Sequence, residues 1–198
     1  EDMKKVFTRL PSSSAIPLAV RRAQDMFVLM FLLRGLPFVD LAYLRKSDLR
    51  DNVITYRRRK TGRPLSVTLT PEALELLKKY MNRDSHSPYL FSLLKSGEGT
   101  KEAYREYQLA LRSFNQQLTL LGEVLGLNDK LSSYTARHTW ATTAYYCEIH
   151  PGIISEAMGH SSIKVTETYL KPFRNKKIDE ANNQVIDFVK HSIAGVVA

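Results

Sequence analysis

Apolar spacing divides this chain into mostly helical segments. Between 17 and 33, Leu18, Val20, Met26, Val28, Leu29, Phe31 and Leu32 are dense enough for a largely buried helix, closed by Arg34-Gly35-Leu36-Pro37. Phe38, Leu41 and Leu44 then recur every three residues, a short second helix that stops at Ser47-Asp48. The period changes in two extended segments, 53–58 and 64–69. In the second, Leu65, Val67 and Leu69 alternate with Ser66 and Thr68, the pattern of a half-buried strand. Lys60-Thr61-Gly62-Arg63 between them reads as a hairpin tip.

Helical signals return at Thr70-Pro71-Glu72, which supplies a capping hydroxyl, a proline at the first position and a carboxylate in the first turn. Leu74, Leu77 and Met81 give that helix its apolar face. Loops at 85–88 and 95–100 precede a long helix over 101–126, carrying Leu111, Phe114, Leu118, Leu121 and Leu125. Ser132 or Ser133 is expected to cap a helix over 134–147, Pro151 to open another ending at Met158-Gly159, and a last pair to cover 162–170 and 177–191. The expectation is a mainly α fold with one small antiparallel β-hairpin. Trp140, Tyr145, Tyr146 and Cys147 follow helical spacing and are expected in or near the core. Loop signals at Pro11-Ser12-Ser13-Ser14 and Lys171-Pro172-Phe173 set off the two ends.

Composition narrows the class without deciding it. The chain has 198 residues, 43% of them hydrophobic and 25% charged, an ordinary globular balance that excludes disordered and low-complexity classes. Twenty-nine Lys and Arg against 20 Asp and Glu leave a formal charge of +9, which points to a polyanionic partner. A single cysteine, Cys147, excludes an internal disulfide framework and a cysteine zinc cage, and fits a reducing cytosol. The most apolar stretch, 26–33, is flanked by Arg21, Arg22, Asp25 and Arg34 and is too short to span a bilayer. The abrupt start at Glu1-Asp2-Met3-Lys4-Lys5 raises the expectation of an excised domain or of a boundary chosen in a linker.

The chemistry concentrates near the C-terminal half. On a helix starting near 134, Tyr134, Arg137, His138 and Ala141 share one face, so Arg137 and a polar neighbour can point into one cleft. His160, after Met158-Gly159, follows Arg137 by 23 residues, and Tyr169 follows His160 by nine. The order Arg-His-Thr-x-Ala-Thr-Thr, Met-Gly-His, Thr-x-x-Tyr at these spacings resembles the catalytic domain of tyrosine recombinases, the phage-type integrases. The segments Leu33-Arg34-Gly35-Leu36-Pro37-Phe38-Val39-Asp40-Leu41-Ala42-Tyr43-Leu44 and Ser133-Tyr134-Thr135-Ala136-Arg137-His138 look most like integrases of conjugative and mobilisable elements from anaerobic gut bacteria.

The resemblance implies the tyrosine recombinase catalytic-domain fold, with Tyr169 as nucleophile, Arg137 as second arginine, His160 at the histidine-or-tryptophan position and Lys60 as the hairpin lysine. Arg34 is the candidate first arginine, although the family places it three residues before the acid at 40, where this chain has Pro37. Tyr134 stands where the family has histidine; it contacts the active site or packs. His138 reads first as a structural histidine. Arg57, Arg58, Arg59 and Arg63 are rivals of Lys60, and are expected as phosphate contacts along DNA or as solvated strand charges.

Attack of a phenol on a phosphodiester builds negative charge on phosphorus. Two guanidiniums can neutralise it without a metal, and a lysine can protonate the departing 5′ oxygen. A 3′-phosphotyrosine conserves the bond energy, so no cofactor, metal or ATP is implied. The expected partners are double-stranded DNA at attachment sites and further recombinase protomers in a synaptic tetramer, with no membrane, in the bacterial cytoplasm at the nucleoid. Residues 1–16 are expected as a linker remnant, 17–174 as the catalytic domain, and 175–198 as a helix and tail that packs on its own domain or, as the resemblance implies, docks in cis or on a neighbouring protomer. A nicking tyrosine topoisomerase and a non-enzymatic helical DNA-binding regulator are the alternatives.

Overall fold

A computed structural model describes residues 2–8, 16–170 and 175–194. The elements run α1 (Asp2–Phe7), α2 (Leu18–Leu32), α3 (Phe38–Tyr43), β1 (Leu49–Arg50), β2 (Val53–Arg57), β3 (Pro64–Thr68), α4 (Pro71–Tyr80), α5 (Lys101–Val124), α6 (Thr135–Tyr146), α7 (Pro151–Met158), α8 (Ile163–Glu167) and α9 (Asn175–Ala194). The mainly helical reading with a small antiparallel sheet agrees with this order. α2 is the central post: Val20, Ala23, Met26, Phe27, Leu29 and Met30 are buried, and the helix packs against α4, α5 and α6. A helix apolar on most sides is stable only when it is surrounded.

The sheet has three strands in the order β1-β2-β3, all antiparallel. Its register pairs Ile54 with Val67 and Tyr56 with Leu65, so the buried side chains Ile54, Tyr56 and Val67 face the core. β1 was not anticipated. It returns through Asp51-Asn52, both at positive φ, residue types that tolerate the left-handed region a tight hairpin turn needs.

The caps of α4 and α5 are the threonine hydroxyls, with Ala73 N donating to Thr70 Oγ1 at 3.2 Å and Ala103 N to Thr100 Oγ1 at 3.1 Å. The start of α6 departs from the expected serine cap. Tyr134 occupies the cap position with helical dihedrals and no side-chain bond, while Thr135 Oγ1 accepts from Ser132 N at 3.0 Å.

Residues 2–8 pack on α2: Val6 is wholly buried, and Gln24 Nε2 donates to the carbonyls of Val6 and Thr8 at 2.8 and 2.9 Å. One further expectation is corrected. Tyr146 and Cys147 are exposed rather than near-core, because they fall on the outer side of the last turn of α6, whereas Ala141 and Ala144 face inward. The expected loop at 11–14 and the break at 171–173 lie outside the described residues. No helix among the described residues is long and apolar enough to cross a membrane.

The main core gathers α1 to α5, the sheet and the start of α6. A smaller cluster of Ala141, Ala144, Ile154, Met158 and Tyr169 closes α6, α7 and α8 together. The site lies between the two.

Candidate active site

Arg137 projects from the first turns of α6 and is 4% exposed. Its Nη1 donates to Gly35 O at 3.0 Å and its Nη2 to Met158 O at 2.8 Å, so two carbonyls from distant segments fix the guanidinium. Burial and then the charge of Arg58 pull its pKa down, while the nearby Tyr169 phenol acts in the opposite sense. Gly35 is required here. Its φ is +67°, and a Cβ would come 2.9 Å from Arg137 Cα.

α7 ends at Gly159 in the left-handed conformation, and the chain turns there into His160, which is 4% exposed. His160 Nδ1 is 2.8 Å from Thr166 Oγ1, while Nε2 is buried with no partner. Burial, followed by the charges of Arg137, Arg58 and Lys60, holds the imidazole down at about pKa 4, neutral at pH 7. A neutral ring that accepts the threonine hydroxyl at Nδ1 presents Nε2–H as a free donor.

Tyr169 follows α8, its N–H donating to Thr166 O at 2.9 Å, and its ring is buried among aromatic neighbours. His160 lies on one side, with centroids 5.4 Å apart and planes 12° from parallel. Tyr134 stacks at 6.0 Å and His138 tilts against the ring at 5.6 Å. Desolvation against this cluster, and then the hydrogen bond with Tyr169, push the Tyr134 phenol up to about 12. His138 thus touches the nucleophile candidate's ring as well as α6.

The β2–β3 turn carries Lys60, which is exposed. Arg58 N donates to Arg63 O at 2.8 Å and Gly62 N to Arg58 O at 2.7 Å, closing the turn. Thr61 Oγ1 donates to Gly159 O at 3.0 Å and docks the tip onto the end of α7. Lys60 is therefore held on the His160 side, where its charge is felt by the imidazole. Arg34 is half-buried at a φ of +58°, in a turn where Leu36 N donates to Met30 O at 2.9 Å. Its charge, with those of Arg58 and Arg137, is felt by the buried Tyr56 phenol. Burial and then Asp40 nevertheless push that phenol above its ordinary range.

The four hairpin arginines separate. Arg57 and Arg63 are exposed, Arg57 Nη1 donating to Gly62 O at 3.1 Å. Arg59 is tied to Glu98 and lies over the Tyr43 ring at 3.8 Å. Arg58 is not on the outer surface at all: it is 5% exposed and ion-paired with the buried Asp40. The sequence offered Arg58 only as one of four equivalent hairpin arginines, a phosphate contact or solvated charge, and Asp40 only as the acid of the motif, so their buried pairing is a correction. A signal for Arg58 was present in strand parity, since Arg58, one residue past the end of β2, continues the inward alternation of Ile54 and Tyr56. Nothing comparable pointed to Thr166 as the partner of His160. Among the described residues no group of three or more His, Cys, Asp and Glu is placed to hold a metal ion.

The model of the phage integrase family matches residues 12–176. The tyrosine recombinase XerA of Pyrococcus furiosus is 26% identical over 175 residues, 86% of this chain and 55% of that protein. A tyrosine recombinase of Pseudothermotoga lettingae is 27% identical over 184 residues, 87% of this chain and 59% of its own length. This chain therefore spans a little over half the length of these relatives. Among solved structures, the Tn1549 transposon integrase in complex with transposon right end DNA has the same fold, at a TM-score of 0.63 and 14% identity, covering 93% of this chain and 64% of that one. A match of this extent, on a chain whose distant segments bring Arg137, His160 and Tyr169 together, means that it belongs to the phage integrase family.

Proposed function

We propose that this chain is the catalytic part of a site-specific DNA recombinase that cuts and rejoins strands through Tyr169. The observation that carries the reading is the convergence of the Tyr169 ring, the buried Arg137 guanidinium and the unpaired Nε2 of His160 in one cluster. The Tyr169 oxygen bonds to the scissile phosphorus and the bond to the 5′ oxygen breaks. The phenol's proton leaves to solvent, and Lys60 protonates the departing 5′ oxygen. A 3′-phosphotyrosine and a free 5′-hydroxyl result, and a second 5′-hydroxyl reverses the step on a new partner.

Arg137 and Arg34 stabilise the charge that develops on the phosphate, and His160 adds a donor. Tyr134 contributes a polar contact at the nucleophile. Arg57, Arg59 and Arg63 lie along the hairpin as backbone contacts for duplex DNA. Residues 17–174 form the catalytic unit. The helix that opens the 175–198 segment docks on another protomer of the DNA-bound assembly, a role supported by the exposure of Ile178, Val185, Ile186 and Val189 on α9. A mobile genetic element of gut anaerobes and the bacterial cytoplasm are the proposed setting, on the strength of the motif resemblance.

The test is covalent capture. A pool of nicked duplexes with randomised sequence is incubated with the chain, and protein–DNA adducts are isolated and sequenced, which also identifies the preferred site. Wild type is expected to form the adduct and Tyr169→Phe to form none. An adduct that survives the substitution overturns the nucleophile assignment. Failure of wild type to form any adduct leaves a DNA-binding regulator, and relaxation of supercoils without synapsis marks a nicking topoisomerase.

A further inference from the structure

Arg58 is a cation in the interior, and its surroundings do not satisfy all of its hydrogen-bond donors. One edge of the guanidinium is used, Nη1 pairing with Asp40. That carboxylate is shared, because its other oxygen accepts the Arg59 N–H at 3.0 Å. The Nε of Arg58 is buried and has no partner. A buried donor of this kind costs folding free energy unless something else satisfies it.

The neighbours repeat the pattern. Three buried side-chain polar atoms among the described residues lack a partner, and two of them, Arg58 Nε and His160 Nε2, belong to this cluster. Arg58 also acts electrostatically on both Arg137 and His160. The side chain lies against the end of α7 because residue 159 has none: a Cβ on Gly159 would come 2.7 Å from Arg58 Cγ. The charges of Arg58, Arg137 and Lys60 thus all act on the His160 imidazole, and the carboxylate paired with Arg58 is already shared. The missing complement is an anion with several acceptor oxygens.

Building on the recombinase reading, we infer that Arg58 is a catalytic residue, whose Nε–H donates to a non-bridging oxygen of the scissile phosphodiester beside Arg137, with Asp40 as the strut that holds it there. Arg58 is then distinct in role from its neighbours Arg57, Arg59 and Arg63, which meet DNA outside the site. His160 Nε2 is enclosed while the Tyr169 ring lies on the imidazole, so entry of the phosphate requires that ring to turn aside.

The experiment compares two versions of the captured DNA site, one with the natural scissile phosphate and one with a methylphosphonate there, in which a methyl group replaces a charged oxygen. Adduct formation is followed for wild type, Arg58→Ala and the double variant Arg58→Gln/Asp40→Asn, which keeps a neutral hydrogen-bonding pair in the interior should the single variant fail to fold. On the phosphodiester, loss of Arg58 is expected to slow cleavage about 100- to 1,000-fold, the range for one lost transition-state donor. On the methylphosphonate, which carries less charge to stabilise, the variants are expected to approach the wild-type rate. A defect of equal size on both substrates, or none on the phosphodiester, overturns the inference and leaves Arg58 a packing strut. If wild type cleaves the phosphodiester and Tyr169→Phe does not, the recombinase reading stands whatever Arg58 does. If wild type makes no adduct, both fall.

Discussion

The ring of Tyr169 lies on the imidazole of His160, with centroids 5.4 Å apart and planes 12° from parallel, and Thr166 holds the imidazole from its other nitrogen. The candidate nucleophile and a candidate phosphate donor are therefore packed as one unit. The stack buries the ring that loses water contact and leaves Nε2 without a partner, so the arrangement is stable only while His160 stays neutral.

Acid sensitivity follows from that neutrality. The unfolded chain takes up the His160 proton near pH 6.5 and the folded chain only near 4, so between those values the unfolded state binds more protons. Stability is expected to fall as pH drops from about 6.5 to about 4, by about 3 kcal/mol for this residue alone, and to level off below. Urea unfolding at a series of pH values checks this, and His160→Gln is expected to flatten that part of the curve.

Tyr134 presents the opposite case. Its phenol is held up at about 12, so it remains protonated through the working range and serves as a hydrogen-bonding group rather than a proton acceptor. Cleavage rates of wild type and Tyr134→Phe, measured from pH 6 to 9, are expected to share one profile shape. The variant is expected to be slower by less than about tenfold, or about 1.4 kcal/mol, the worth of one lost hydrogen bond. A pH step that disappears with the hydroxyl contradicts the assignment.

Gly35 ties the fold to the site. Gly35→Ala places a methyl 2.9 Å from the Arg137 backbone at a φ of +67°. Destabilisation of about 2–3 kcal/mol is expected from thermal melts, the sum of left-handed strain and a forced backbone shift. Cleavage is expected to fall further than stability does, because Gly35 O is one of the two carbonyls that aim Arg137.

Arg34 separates stability from chemistry. An L-residue at a φ of +58° carries a conformational cost of about 1–2 kcal/mol that glycine does not. Arg34→Gly is therefore expected to melt at or slightly above the wild-type temperature, while losing about 3 kcal/mol of transition-state stabilisation in single-turnover cleavage, as expected for one lost charged donor. Wild-type cleavage by this variant removes Arg34 from the phosphate.

Lys60 is tested through the leaving group. Lys60→Ala is expected to slow cleavage of the natural bond strongly and to cleave a 5′-bridging phosphorothiolate at nearly the wild-type rate. A thiolate, with a parent thiol pKa of about 8.5, departs without a proton. Equal defects on both substrates assign proton donation to another group.

The amino-acid sequence alone determined the helices from α2 onward and the main hairpin, because apolar period, caps and turn residues act over a few neighbours. Thr70 and Thr100 cap α4 and α5 by contacts three residues long. The order of Arg137, His160 and Tyr169 was likewise legible, since the motif spans only 33 residues. Tertiary structure decided what those residues meet. Arg137 finds Gly35 O across 102 positions, Thr61 finds Gly159 O across 98, and Arg58 finds Asp40 across 18. Four arginines within seven residues look alike in sequence. Burial made one of them an interior charge and left the others outside, because only folding brings the inward face of β2 against an acid on α3 and a glycine at the end of α7.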